Sequence, residues 1–305
     1  MPSTQPDDMP KAGNIALPAV RYSILGVPLA VHSDVPAALD RVDETYAAFR
    51  QASGPPGAAL VVQLKSLDSD HSYLVCDSDG YQERCPTLQL ALIELFGRIV
   101  QGMLARLHER GAYAIHAGAA VYRGAALIIA GKSGQGKTTL TLALLGRGLG
   151  LLSDEFAVAE PGTQRIMPYR RSPHVRPGTP DLIPELRFLK DRPQQRLGGG
   201  IEWALAPADL ERAFPGCLAP PAPLRYVLLL DGAPRPGDRP TIAPVPAALA
   251  TMELLRGTWA ASVDFAGGLA RLGGLLSGAA CGRLSAGALD ATLDCVVGWL
   301  EAHHG

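Results

Sequence analysis

Apolar positions change period several times along this chain, and each change predicts an element. The run Tyr22-Ser23-Ile24-Leu25-Gly26-Val27-Pro28-Leu29-Ala30-Val31 predicts short strands around a turn. Residues 35–49 carry apolar side chains at helical spacing, and Ser53-Gly54-Pro55-Pro56-Gly57 ends that stretch. Residues 59–64 and 73–76 predict strands on either side of a polar turn at 66–70. Leu88, Leu92, Leu95, Ile99, Met103 and Leu107 then recur every three or four residues, the stripe of a core helix. The expected organisation is a disordered N-terminus over 1–19, a small α+β module over 20–86, and a larger α/β unit over 87–305 that this helix opens.

Further on, two strand patterns at 114–122 and 125–130 are joined by Arg123-Gly124 alone. A two-residue link holds no crossover helix, so the pair is antiparallel. Pairing outward from Tyr122 and Ala125 places His116 level with Gly131. A helix is expected over 137–147 and a strand over 149–153, parallel to the 125–130 strand by the handedness of βαβ units. The nearly continuous apolar run 224–230 predicts a strand buried on both faces. Helices are expected over 247–256, 265–276 and 289–302, with a short edge strand at 282–284. The prolines, arginines and glycines of 161–200 predict a long irregular loop, whose Arg165, Arg170, Arg171 and Arg176 read as a solvated rim or as contacts to phosphate or substrate.

Composition narrows the function classes. The chain has 28 Lys plus Arg against 29 Asp plus Glu, which leaves no electrostatic footprint for nucleic acid or an anionic membrane. The five cysteines form no C-x-x-C pair and predict free thiols. The first twenty residues have acids and prolines where a signal peptide has an apolar core, and no later stretch of about eighteen uninterrupted apolar residues occurs. A soluble, cytoplasmic protein is expected.

The strongest chemical signal is Gly131-Lys132-Ser133-Gly134-Gln135-Gly136-Lys137-Thr138, followed by Thr139. It satisfies G-x-x-x-x-G-K-[ST] between a predicted strand and a predicted helix. Its glycines allow backbone N–H groups to wrap a phosphate, Lys137 reaches the β- and γ-phosphates, and the Thr138 hydroxyl ligates Mg²⁺. Asp154-Glu155 follows the next predicted strand and emerges at the carboxyl edge of the sheet, where ligands of such sheets bind. Two carboxylates there hold Mg²⁺ through water and accept a proton from an attacking hydroxyl. Read alone, the pair also begins an ordinary turn, and His116 is also compatible with a packed strand histidine.

His116, the hairpin, the loop ending Gly-Lys-Thr-Thr, Gly148 and Leu151-Leu152-Ser153-Asp154-Glu155 together resemble the catalytic core of the HPr kinase/phosphorylase family over residues 116–155. The resemblance implies an α/β P-loop core with an antiparallel hairpin entering the loop, and Mg²⁺-dependent transfer of phosphoryl from ATP to a serine of a protein or peptide. It gives Lys137 the phosphate, Thr138 and Asp154 the metal, His116 the place of the active-site histidine, and the acidic pair the role of base. The family has Asp-Asp where this chain has Asp154-Glu155, which leaves open which member is the base. The family's later glycine-rich segment, with its Glu and Arg, is echoed only by Pro184-Glu185-Leu186-Arg187 and Gly198-Gly199-Gly200, so phosphorylase activity is not carried over. A small-molecule kinase and a non-enzymatic regulator or ATPase are the other readings. Oligomeric state, a homo-oligomer included, stays open.

Overall fold

The computed structural model describes residues 17–51, 59–67, 71–197, 200–258 and 264–304. The expected disorder of 1–19 falls almost wholly outside them, as do the turns at 53–57 and most of 66–70.

The first strands form where expected. β1 (Ala19–Ile24) and β2 (Val27–Ser33) make an antiparallel hairpin, and α1 (Pro36–Tyr46) carries the chain to β3 (Leu60–Leu67), parallel to β2. β4 (Ser72–Asp77) and β5 (Gln82–Cys85) complete a sheet of order β1-β2-β3-β4-β5, β5 being a strand the sequence pattern did not reveal. α2 (Leu88–Glu109) starts at Thr87, whose hydroxyl accepts from the Leu90 N–H. Its stripe Leu95, Ile99, Met103 and Leu107 is buried, but against Leu60, Val62 and Leu64 of β3. The helix read as opening the second unit therefore covers the first sheet. By length and a mean hydropathy of 1.4, α2 is the one helix among the described residues that passes as a membrane span; a third of that window is buried inside the protein.

The second sheet builds around β6 (Tyr113–Tyr122) and β7 (Ala125–Ala130), antiparallel, with Tyr122 paired to Ala125 and Ala117 to Ala130. Next come α3 (Lys137–Leu145), β8 (Gly150–Ser153), β9 (Phe156–Ala159) and β10 (Arg165–Met167). β8 runs parallel to β7 in direction but pairs with β6, which lies between them. The stretch 161–200 is largely structured. After β10 it holds β11 (His174–Val175), α4 (Thr179–Leu182), a 3-10 helix over Pro184–Asp191 and β12 (Gln195–Leu197). β11 and β12 flank β13 (Gly200–Ala204) in a three-stranded sheet. The expected loop was misread because its apolar residues are too sparse for periodicity to register, while tertiary pairing supplies the order.

After α5 (Pro207–Ala213), β14 (Ala222–Leu230) inserts parallel to β7, and β15 (Thr241–Pro244), α6 (Ala247–Leu255), α7 (Phe265–Leu275), β16 (Ala280–Ser285) and α8 (Leu289–Ala302) close the chain. The sheet order is β10-β9-β6-β7-β14-β16-β15, with β8 on β6. β16 is thus interior, and the edge expected there is taken by β15. Alternation along β7 and β14 sends Leu127, Ile129 and Leu228 toward α3 and α8, and Ile128, Val227 and Leu229 toward α6 and α7. Period-two strands covered on both faces read as the continuous apolar runs seen in the sequence.

Candidate functional site

The loop of residues 131–136 leaves the buried end of β7 and turns into α3 at Gly136. Gly134 and Gly136 hold φ of 82° and 89°, the left-handed region where a side chain is strained. A Cβ at Gly131 would lie 2.6 Å from the Gln135 Oε1. The Lys137 Nζ donates back to the carbonyls of Gly131 (2.8 Å) and Lys132 (3.2 Å), while the Gln135 Oε1 accepts from the Lys132 N–H (2.6 Å). The loop therefore closes on its own side chains. Lys137 is 8% exposed, and burial, offset by Glu155 and reinforced by Arg176, pulls its pKa down. Thr139 and Thr179 share a hydrogen bond between hydroxyls, tying α3 to α4.

Beyond the loop stands the acidic pair. The Ser153 Oγ accepts from the N–H groups of Glu155 and Phe156, which fixes the turn after β8. Asp154 is 3% exposed and its Oδ1 has no hydrogen-bond partner. Burial pushes the Asp154 carboxyl up, against the pull of Arg171. Glu155 is engaged at both oxygens: Oε2 accepts from Arg171 at 2.7 Å, and Oε1 lies 3.7 Å from the His116 Nδ1. His116 sits one step beyond the last β6–β7 pair. There it pairs with Phe156, its ring rests edge-on against that ring, and its backbone N–H donates to the Gly257 carbonyl. Burial lowers its pKa despite the neighbouring Glu155.

Sequence reasoning named the arginines of 165–176 but foresaw neither His174 nor the pairing of Arg171 with the acidic pair. Arg171, read as rim or as a phosphate contact, is buried between the two carboxylates; burial would lower its pKa, but the carboxylates hold it up. It is placed there because Ser172 docks on the C-terminus of α1, its N–H donating to the Thr45 carbonyl and its hydroxyl to the Glu44 carbonyl. No local pattern announces a contact to a helix so remote in sequence. Arg176 reaches Glu202 at 3.5 Å, and so does the His174 Nδ1. Hydrogen bonding from His174, opposed by burial, brings Glu202 below its ordinary range. Of the other two arginines, Arg165 and Arg170 donate to the carbonyls of Pro221 and Ala219. Glu185 and Arg187 are exposed and do not line the cavity, and Gly198 and Gly199 lie outside the described residues.

A single cavity of about 810 Å³ gathers these groups: residues 133–140 of the loop and α3, His116, Asp154, Glu155, Arg171, His174 and Arg176. Gly131 and Lys132, the first two residues of the loop, do not line it. Among the described residues no group of three or more His, Cys, Asp or Glu makes a metal cage. Oxygen donors for a hard cation are at hand in two lining residues, Thr138 and Asp154, the latter with an Oδ1 that makes no hydrogen bond. That set suits magnesium, which keeps waters and substrate phosphates among its ligands.

Among known proteins, no family model matches this chain, and no curated protein matches it. Among solved structures it is similar to the HPr(Ser) kinase/phosphatase from Coxiella burnetii, with 14% identity and a TM-score of 0.32. The match covers 63% of this chain and 99% of that one. A likeness that loose carries no argument, and function is read from the side chains gathered in the cavity.

Proposed function

We propose that this chain binds ATP on the loop 131–136 with Lys137, Thr138 and Thr139, and transfers its γ-phosphoryl group to a serine hydroxyl of a protein or peptide. The observation that carries this reading is the meeting, in one cavity, of a loop built to wrap phosphate and an acidic pair whose buried member, Asp154, has a carboxylate oxygen without a hydrogen bond. Phosphoryl transfer demands little covalent chemistry from a protein. It needs positioned phosphates, neutralised charge and a proton acceptor.

In this reading the N–H groups at the start of α3 and the Lys137 ammonium hold the β- and γ-phosphates, the lysine exchanging its carbonyl partners for phosphate oxygens. Thr138 and Asp154 would hold a magnesium ion, which would neutralise charge on those phosphates. The serine hydroxyl gives its proton to the acidic pair as its oxygen bonds to the γ-phosphorus. The bond from that phosphorus to the bridging oxygen breaks, and ADP leaves. Glu155 is tied to Arg171 and His116, while the Asp154 Oδ1 makes no hydrogen bond and faces the Arg171 Nε at 4.0 Å. Both carboxylates adjoin the phosphate loop, and the proton is assigned to the pair rather than to one member.

The test is incubation of the full chain with Mg²⁺-ATP and serine-containing peptides, read by intact mass. Phosphate on a peptide, lost in Lys137→Ala and in Asp154→Asn/Glu155→Gln, supports the assignment. ATP binding without transfer to any hydroxyl sinks it in favour of a nucleotide-dependent regulator. One observation favours a small-molecule kinase as second reading: an apolar wall of Leu92, Ile93, Phe96 and Val100 encloses part of the cavity.

A further inference from the structure

Granting that transfer, we infer that the acceptor serine belongs to an apolar peptide segment that lies along α2. Sheet order decides where an acceptor enters. The loop after β7 stands between two flanks. On one side β14 and β16 lead to Leu230, Pro234 and residues 286–289. On the other, β6, β8 and β9 carry His116, Asp154 and Glu155. The attacking hydroxyl has to approach the phosphoryl group where its proton is taken up, which is the acidic flank.

Past the carboxylates, the wall of that flank is α2. Leu92, Ile93, Phe96 and Val100 face the cavity. The charged neighbours on the helix are spent elsewhere: the Arg98 Nε donates to Asp77 at 2.7 Å with its guanidinium over the Tyr81 ring, and Glu94 bonds the Tyr81 hydroxyl. The cavity's cations are engaged as well. Lys137 holds the loop carbonyls, Arg171 holds Glu155, and Arg176 holds Glu202. An acidic acceptor segment would meet carboxylates and hydrocarbon, and each Lys or Arg among the described lining residues already faces a carboxylate or carbonyl oxygen. A neutral apolar segment loses nothing and covers side chains that now face solvent, since Ile93 is 40% exposed and Leu182, which reaches the cavity from α4, is 55% exposed.

The wall is also long. Leu90, 47% exposed, continues the face of Ile93 beyond the cavity lining. From residue 90 to 100 an α-helix rises about 15 Å, the span of about four to five extended residues. A strip of that length fits a peptide carrying a bulky aliphatic or aromatic residue beside its serine.

The experiment uses the full chain, Mg²⁺-ATP and synthetic nonapeptides with one central serine flanked by Leu and Phe, by Gly, or by Asp, together with N-acetylserine amide. Initial rates are read by mass spectrometry for the natural chain and for Ile93→Asp and Leu182→Asp, both at exposed positions. ATP-induced thermal stabilisation certifies the fold of each variant. The inference expects kcat/KM for the Leu/Phe peptide about 10- to 100-fold above the Gly and Asp peptides, and a preference reduced in both variants. Transfer at equal rates to all peptides, or to N-acetylserine amide as fast as to the best peptide, overturns the apolar-segment assignment and leaves the kinase standing. Bound ATP with no transfer to any acceptor overturns both.

Discussion

Replacing Arg171 by Met probes the buried charge cluster at its centre. The Arg171 side chain is 12% exposed and the Asp154 side chain 2%, whereas Glu155 is 29% exposed. Removing one partner of a buried ion pair costs about 3–5 kcal/mol. Water reaching Glu155 takes over part of the lost stabilisation, so the expected cost is about 3 kcal/mol, the low end. At about 2 °C per kcal/mol for a chain of this size, Tm falls by about 6 °C. The loss has a pH signature. Burial raises the Asp154 carboxyl and Arg171 pulls it down, so the substitution lets it rise further. A carboxyl raised in the folded state contributes stability below its unfolded pKa of about 3.9 and loses it as pH climbs through the folded value. The deficit of the variant is therefore largest at neutral and alkaline pH and shrinks on acidification. His116 moves it the same way, since Arg171 also helps to lower its pKa and an imidazolium pairs with Glu155 in acid. Urea denaturation at about pH 8 and about pH 5.5 measures both terms. The triple variant Arg171→Met/Asp154→Asn/Glu155→Gln, which leaves no orphaned charge, should recover most of the loss. A deficit below about 1 kcal/mol, one independent of pH, or a triple variant as unstable as the single one would refute the reasoning.

Lys137→Ala should lower kcat/KM for transfer by about 100- to 1000-fold, the scale of one lost charge-stabilising donor, in steady-state assays that also show weakened ATP binding. Gly150→Ala places a Cβ 2.7 Å from the Ala219 Cβ, a methyl group that moves only with its backbone, and should cost about 1–3 kcal/mol in a urea titration without altering the cavity. Glu202→Gln should destabilise by about 1–2 kcal/mol at pH 7, discounted because Arg176 is largely exposed. The Glu202 pKa is lowered in the fold, so its contribution is present above the unfolded value of about 4.3 and disappears as pH falls through the folded one. Thermal melts that show the same deficit at pH 3 and pH 7 would contradict that sign.

Local chemistry made much of the sheet legible. The two-residue link at Arg123-Gly124 forced an antiparallel pair and fixed its register from Tyr122 and Ala125 inward. The apolar runs at 125–130 and 224–230 announced central strands because both faces of that sheet are covered. The spacing of Gly131, Gly136 and Lys137 marked the loop, since positive φ and a close approach are demands that only glycine meets easily. Order depending on partners far along the chain left no such trace. β8 lies beside β6, outside β7, and a stretch rich in Pro and Arg becomes a small sheet. Arg171 is drawn into the acidic pair by a hydrogen bond between Ser172 and the end of α1. α2 illustrates the division. Its stripe declared a buried face, but which sheet it covers, and that its remaining apolar side chains wall the cavity, follow only from packing. Periodicity encodes that a face is buried; what buries it is a property of the whole chain folded at once.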